Sequence, residues 1–388
     1  MEELPTELTI DILSRLPFKT IIQCKRVCKI WRNLVLDSSF VNLHLSRSPT
    51  GLVIHEIAND QHLDPGILNW VETHLHHDPL MSLDLNMVPF LKSSIIDQMG
   101  SANGLIFLSQ NSQYRIDDAH ICNPVTREIM ILPSPRYHTR GSATVVYGFG
   151  VGSLTGEYKL VRIFHGKIPL NGNESGEYKT VLEAEVYTLG TGQWRSVGRV
   201  PYRLDGSNFG VVLNDHCHWN VFEEGAPENI CTFDLNKETF QLFPSPPPEV
   251  IEESFFEKLV VLNGCLCKSY AYNYQLTIWV MKEYGVKKSW HKEVVITEAI
   301  SGGLDWPLED SISLIHGLND GSILIFSAEL LVPYRRGVAQ VAKGLGLVDG
   351  IHWSQVQTMG VALWRYPDFG PAFESVRACQ SMGMRARP

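Results

Sequence analysis

No run of about 18 apolar residues occurs anywhere in this 388-residue chain, so nothing in it reads as a membrane-spanning helix. A Gly-x-Ser-x-Gly elbow, a His-Glu-x-x-His pair and a dinucleotide fingerprint are also missing. The nearest approach to a phosphate cradle, Gly148-Phe149-Gly150-Val151-Gly152, is not followed by a helical pattern. The sequence therefore offers no assembled catalytic, cofactor or metal site. Positive charge is scarce: the net charge is −9, and residues 12 to 36 hold six basic side chains with no Asp or Glu, leaving −15 for the rest. That balance argues against a nucleic-acid-binding body. The opening Met1-Glu2-Glu3-Leu4-Pro5 lacks the basic start and apolar stretch of a secretory signal. The expected setting is cytosolic or nuclear, with the eight cysteines as free thiols.

What is present changes character once along the chain. Thr6 can cap a helix whose apolar positions Leu8, Ile12, Leu13 and Leu16 share one face, and Pro17 stops it. Val27, Cys28, Trp31, Leu34 and Val35 share a second face, with Lys25, Lys29, Arg32 and Asn33 opposite. Asp37 can cap a last helix carrying Phe40, Val41 and Leu45. Three or four helices in 45 residues make a very small core, and such a unit usually needs a partner to cover its apolar surface.

After the punctuation Ser46-Arg47-Ser48-Pro49-Thr50-Gly51 the pattern becomes short β-rich runs separated by Gly, Asn, Asp and Pro. An internal echo recurs at Asn103-Gly104, Asn214-Asp215, Asn263-Gly264 and Asn319-Asp320-Gly321. Each is a strand, a tight turn and a returning strand. A second strand pair follows each hairpin, at 121–124 with 129–132, 185–188 with 194–197, 231–235 with 239–243, and 276–280 with 290–295. Copies from Asn214 recur 49 and 56 residues apart, close to the roughly 40–50 residues of one four-stranded blade. Residues 60–100 are ambiguous, and the chain beyond Val332 is irregular.

Leu4-Pro5, Ile12-Leu13 and Leu16-Pro17, followed by Cys24, Val27, Cys28, Lys29, Trp31 and Phe40, resemble the F-box. The body is similar to the F-box-associated (kelch-like) domain of plant F-box proteins. That likeness rests on Asn103-Gly104-Leu105, Asn123-Pro124-Val125-Thr126 with Leu132-Pro133, Tyr147-Gly148-Phe149-Gly150 and the Trp194 unit. The expected fold class is α+β by segregation: a helical F-box at 1–45, a linker at 46–50, an all-β body at 51–380 and a tail at 381–388. The body is expected to be a kelch-like β-propeller, with a β-sandwich as the alternative. Closure should recruit residues 51–55 into the last blade, because an open edge invites aggregation. Pro333-Tyr334-Arg335-Arg336 departs from the family pattern where the last blade should close.

The resemblance implies a non-catalytic substrate receptor of an SCF (cullin-RING) ubiquitin ligase, recruiting a target protein for ubiquitination and proteasomal degradation. Its partners would be a Skp-type adaptor, a cullin through that adaptor, and the target, with no cofactor, metal, nucleic acid or membrane. The adaptor would meet Leu4, Pro5, Leu8, Ile12, Leu13, Leu16, Pro17, Val27, Cys28 and Trp31. The alternatives are an F-box scaffold outside the ligase and a propeller enzyme.

Within the body, His74, His76 and His77, with His55 and His62, lack the paired Cys or carboxylates of a metal site and read as structural or surface residues. Cys265, Cys267 and the run His216-Cys217-His218 read as strand residues rather than ligands. Trp194, Trp279 and Trp290 read as packing between blades. Target recognition is expected at the turn-rich segments 133–141, 166–180, 200–208, 270–274 and 301–310. These supply Arg136, Tyr137, Arg140, Tyr202, Arg203, Tyr272, Tyr274 and Trp306, residue types enriched at binding hot spots.

Overall fold

A computed structural model describes residues 4–16, 18–47, 51–56, 66–72, 81–88, 91, 95–111, 119–123, 128–136, 143–169, 178–205, 209–222, 225–226, 228–247, 256–272, 275–297, 313–317, 323–327, 330–334 and 361–364. Four helices come first: α1 (Thr6–Leu13), α2 (Phe18–Cys24), α3 (Lys29–Leu36) and α4 (Ser38–Arg47). Thr6 does not cap α1 as its sequence position suggests. It is already helical, and Pro5 holds the extended cap position, its carbonyl accepting from Thr9 N at 3.0 Å. Asp37 does cap α4, its Oδ1 accepting from Ser39 N at 2.9 Å and Phe40 N at 3.4 Å. Helix α4 runs to Arg47, two residues past the boundary drawn at 45.

The strands form six antiparallel sheets. The first holds β1 (Gly51–Glu56), β2 (Ile67–Glu72) and β3 (Met81–Asp84), so the ambiguous stretch 60–100 contains strands. The second is β4 (Ile95–Ala102), β5 (Leu105–Asn111), β6 (Ala119–Asn123) and β7 (Glu128–Ile131). The third is β8 (Thr144–Val151), β9 (Tyr158–Pro169), β10 (Tyr178–Thr188) and β11 (Trp194–Arg199). The fourth is β12 (Val211–Leu213), β13 (His216–Asn220), β14 (Ile230–Asp234) and β15 (Thr239–Phe243). The fifth is β16 (Phe256–Leu262), β17 (Cys265–Tyr272), β18 (Gln275–Met281) and β19 (Trp290–Thr297). The sixth has β20 (Ser313–Gly317), β21 (Ile323–Ser327) and β22 (Leu330–Tyr334). The last strand, β23 (Val361–Trp364), pairs with β1 in the first sheet, from Gly51↔Trp364 to Ile54↔Val361. The early strand thus joins the chain's end, although the sheet it enters takes three of its four strands from the early chain.

Three of the four echoed turns are described. Asn103 and Gly104, Asn214 and Asp215, and Asn263 and Gly264 all have positive φ, which a two-residue I′ hairpin requires at both positions. Asn319-Asp320-Gly321 lies outside the described residues. Leading strands are neighbours: β4 lies beside β8, β8 beside β12, β12 beside β16, β16 beside β20, and β23 beside both β20 and β4. Six small sheets in this arrangement are of β-propeller type and set aside a sandwich of two large facing sheets.

The body's core sits between neighbouring sheets. Val53 and Leu68 pack with Ile96, Ile106 and Leu108, and Phe107 and Ile121 with Phe149 and Leu160. Val161 and Val186 pack with Cys217, Trp219 and Phe233. At the last of these seams a parallel bridge joins Gly148 to Gly210, and Trp219, 1 % exposed, fills the space against both. A Cβ at Gly148 would stand 2.6 Å from the indole and one at Gly210 2.5 Å, so a side chain at either position displaces it. Trp219 Nε1 donates to the Tyr147 carbonyl at 3.2 Å. Trp194 and Trp290 repeat one device, donating to the carbonyls of Pro133 and Pro244 at 2.7 and 3.0 Å. Both stitch a fourth strand to the preceding sheet, in keeping with packing between blades.

Candidate functional site

The helical module closes around Leu13, Ile21, Cys24, Val35 and Phe40, with Ile10, Leu16, Trp31 and Leu34 packed against them. Helix α4 is tied back to α1: Arg47 Nη1 donates to Asp11 Oδ1 at 2.8 Å and to Ser14 Oγ at 2.5 Å. Arg15 forks onto the same carboxylate through two contacts of 3.1 Å. Hydrogen bonds from the two guanidinium groups hold the Asp11 carboxyl below its ordinary value. The buried His44 ring sits 3.2 Å from the Leu16 carbonyl, and burial lowers its pKa. Cys28 caps α3, its Sγ accepting from Trp31 N at 3.4 Å.

What this core leaves outside is the notable feature. Leu4, Leu8, Ile12, Val27 and Ile30 are each between 49 % and 64 % exposed. Among the described residues these are five of the eleven exposed large apolar side chains, concentrated in fewer than fifty residues. Exposure of this density marks a surface meant to be covered.

In the β body the candidate target segments follow strand ends whose placement is set by register. The strand ends leading to them lie at the end of each sheet opposite the first tight hairpin: the ends of β7, β9, β11, β17 and β19. The Gly148–Gly210 bridge runs parallel, so the third and fourth sheets point the same way. Behind this end lie buried charges. Arg162 Nη1 and Glu185 Oε2 pair at 3.3 Å with almost no exposure, and Glu185 Oε1 accepts from Arg136 N at 3.3 Å, fixing the segment after β7. Lys268 Nζ meets Glu257 Oε2 at 2.6 Å, and burial lowers the lysine's pKa against the pull of that carboxylate.

Family models match in two places: an F-box-like segment over residues 1–43, and the F-box associated beta propeller domain over residues 69–330. The chain belongs to the plant F-box proteins. The Arabidopsis thaliana F-box protein At3g07870 is 30 % identical over 365 residues, covering 87 % of this chain and 84 % of that one. F-box protein CPR1 of the same plant is 29 % identical, covering 75 % and 72 %. Its F-box/kelch-repeat protein At3g23880 is 24 % identical, covering 74 % and 78 %.

Nine of the ten sequence-predicted adaptor residues are described, and they differ in exposure. Leu4, Pro5, Leu8, Ile12, Val27 and Cys28 are exposed, and Trp31 and Leu16 are half-buried against the core. Leu13 is a correction. At 1 % exposure it belongs to the core, because it lies 100° round the helix from Ile12 and faces inward with Ile10. The supposed single face of α1 is therefore two faces, and Leu16 lies beyond the helix end. Val27, named among the adaptor contacts, is 64 % exposed. Ile30 is an exposed residue that the apolar pattern did not single out; its only signal is that it sits three residues after Val27. Pro17 lies outside the described residues.

Of the eight target-side residues, Arg136 and Arg203 are exposed and Tyr202 is half-buried. Tyr272 ends β17, and Tyr137, Arg140, Tyr274 and Trp306 lie outside the described residues. Arg203 carries its guanidinium 5.5 Å from the ring centre of Phe222, an exposed aromatic that no sequence motif marks. Among the described residues no group of three or more His, Cys, Asp or Glu could hold a metal ion. His55 is buried, whereas His62, His74, His76 and His77 lie outside the described residues. Burial pushes the thiols of Cys122, Cys231 and Cys267 up to about 12 and that of Cys217 up as well, which makes them inert packing groups.

Proposed function

We propose that this F-box protein is the substrate receptor of an SCF-type ubiquitin ligase. Residues 1–45 dock on a Skp-type adaptor and, through it, a cullin, while the body at 51–380 holds a target protein for ubiquitination and proteasomal degradation. The observation that carries the reading is the set of exposed apolar side chains on the helical module: Leu4, Leu8, Ile12, Val27 and Ile30. A free module would leave them in water, and an adaptor groove would bury them.

The receptor needs no acid, base or metal of its own. Its contribution is proximity, which raises the effective concentration of target lysines beside a ubiquitin-charged enzyme supplied by other subunits. The neighbouring leading strands and the β1–β23 ladder support a closed kelch-like ring. In such a ring the strand ends leading to the five candidate segments share one face, and the chain from the F-box enters β1 at the opposite one. On this reading the target binds away from the adaptor side, and the setting we propose is the cytosol or nucleus.

Pull-down of the full chain by the Skp-type adaptor tests the function. Capture is expected for the wild type and lost on replacing Leu8 and Ile12 by Asp. Capture that survives the replacement overturns the reading.

A further inference from the structure

Helix α4 is held along one face as far as its last residue. Phe40 and His44 are buried in the module, and Arg47 follows at the spacing that keeps it on their side. Its guanidinium reaches back to α1, where Nη1 donates to Asp11 Oδ1 at 2.8 Å and to the buried Ser14 Oγ at 2.5 Å. The Asp11 carboxylate is itself gripped by Arg15, which donates from Nε to Oδ2 and from Nη2 to Oδ1, both at 3.1 Å. A fork of this kind fixes the orientation of a carboxylate. Arg47 therefore meets an acceptor that is already aimed.

Strength is not what this contact supplies. The side chains of Arg47 and Asp11 are 34 % and 45 % exposed, and ion pairs that water reaches contribute little to stability. Its place in the chain is the informative part. Arg47 ends α4, and β1 begins at Gly51 after only three residues. Gly51 is paired on both sides, with Glu72 of β2 and Trp364 of β23. The chain is thus anchored at the last residue of the helix and again at the first residue of the strand. Fully extended, it spans at most about 14 Å between those two anchors. Without Arg47 the next anchor back is His44, whose ring lies 3.2 Å from the Leu16 carbonyl. The connection would then run over residues 45–50 in place of 48–50, twice the length. Effective concentration falls as about the −3/2 power of a flexible connection's length, so doubling it lowers that concentration roughly threefold.

We propose that Arg47, Asp11 and Arg15 form a positioning lock, which fixes the last turn of α4 and with it the direction in which the β body leaves the helical module. This rests on the receptor reading and adds how the receptor keeps its target in one place relative to the adaptor. Arg47 acts through α4 and is a positioning residue. A lock of this kind narrows the volume that the body explores and leaves the stability of the module nearly unchanged.

The test uses the full chain, free and bound to its adaptor, with nitroxide labels carried by keto amino acids at Gln23 and Leu154, both exposed. Distances between the two spins report the spread of body positions around the module. The wild type is expected to give one narrow distribution. Arg47→Glu, which sets one carboxylate against another, should broaden it about twofold or more. Arg47→Lys, which still offers Asp11 a cation, should leave it narrow. Arg32→Glu, the same charge change on an exposed residue of α3, should leave it narrow as well. The melting temperature of the module is expected to stay level throughout. A wild-type distribution that is already broad overturns the proposal, and so do equal widths for Arg47→Glu and Arg32→Glu. If Arg47→Glu unfolds the module, Asp11→Asn decides, because it keeps the shape of the side chain and removes the charge. An unbroadened distribution from that folded variant overturns the lock. Adaptor capture is measured in parallel. Its absence in the wild type sinks the receptor reading, while the free chain still tests the lock; capture with a broad wild-type distribution sinks only the lock.

Discussion

The helical module and the β body bury opposite things. In the module, five buried apolar side chains hold four helices together, and five others of similar size stay in water. In the body, most large apolar side chains lie in seams between sheets, and even charges are taken inside: Arg162 with Glu185, and Lys268 with Glu257. Ion pairs of that kind contribute little net stability but are costly to break on one side. The module is thus built to be completed by a partner, and the body to stand alone while presenting its ends. A surface that costs the free protein something marks the first, and loops on a rigid frame mark the second.

The harshest way to break this contrast is to attack a seam. Trp219→Ala removes an indole wedged between Gly148 and Gly210 and should cost about 3–5 kcal/mol, read as a lower urea midpoint. If the two regions are independent, adaptor binding by the module survives in the folded fraction. A variant that retains its full urea midpoint would show that the seam does not carry the body's stability.

A change of pH should act on the body next. His120 and His218 are buried, and burial lowers both to about 4 from an ordinary 6.5. With its Nδ1 facing the Val211 carbonyl at 3.0 Å, the neutral His218 ring keeps its proton there and accepts the Tyr284 hydroxyl at Nε2, 2.9 Å away. Because the folded values lie below the unfolded one, the unfolded chain takes up protons first. Stability is full above about pH 6.5, falls as pH drops toward about 4, and is level below that as far as these groups are concerned. Each ring contributes about 3 kcal/mol over the window, since every tenfold difference in proton affinity between the folded and unfolded chain is worth about 1.4 kcal/mol. Replacing His218 by Gln should flatten the slope between pH 6 and 4 in urea titrations, and an unchanged slope would remove His218 from the account.

On the module the contrast sharpens between adjacent residues. Ile12→Asp should cost about 2 kcal/mol or more of adaptor affinity and almost no thermal stability. Leu13→Ala should cost about 2–4 kcal/mol of module stability and weaken adaptor binding only through unfolding. The discriminating measurement is calorimetric binding beside a melting curve for each variant. Should the two variants behave alike, the two-faced reading of α1 fails.

These neighbours also explain what the sequence could tell. Motif order located the F-box, because Leu-Pro and Cys-x-x-Val-Cys-Lys-x-Trp spacings survive in a string of letters. Which member of an apolar run faces in depends on where the helix stops, and Pro17 suggested a longer α1 than the one that ends at Leu13. Asn-Gly and Asn-Asp turns revealed the hairpins because only a few residues accept positive φ at both positions. The pairing of β1 with β23 was legible only through the need to protect an edge, since more than three hundred residues separate the partners. The wedge of Trp219 against Gly148 and Gly210 was hidden for a different reason. Its importance comes from a seam between sheets, and no local pattern records which faces meet there.

The smallest expected effect concerns Cys28, which differs from the buried cysteines of the body. Cys122, Cys217, Cys231 and Cys267 of the body are sealed in strands, and burial raises the pKa of each thiol. Cys28 is exposed and does the work of a Ser or Asp, its sulfur accepting the Trp31 amide at the start of α3. Sulfur is a weak acceptor, so the cap is a poor one and oxygen should improve it. Cys28→Ser is expected to raise the module's stability by about 0.5 kcal/mol, and Cys28→Val to lower it by about 1 kcal/mol, because Val leaves that amide without its partner. Cys267→Ser tests the other half of the comparison: a hydroxyl in an apolar strand environment should destabilise the body by about 1–2 kcal/mol. Opposite signs for one substitution at two sites, measured by thermal unfolding, would confirm that Cys28 is a cap and Cys267 is core. A stabilising effect at both would mean that the thiol of Cys267 is not packed as the β17 strand places it.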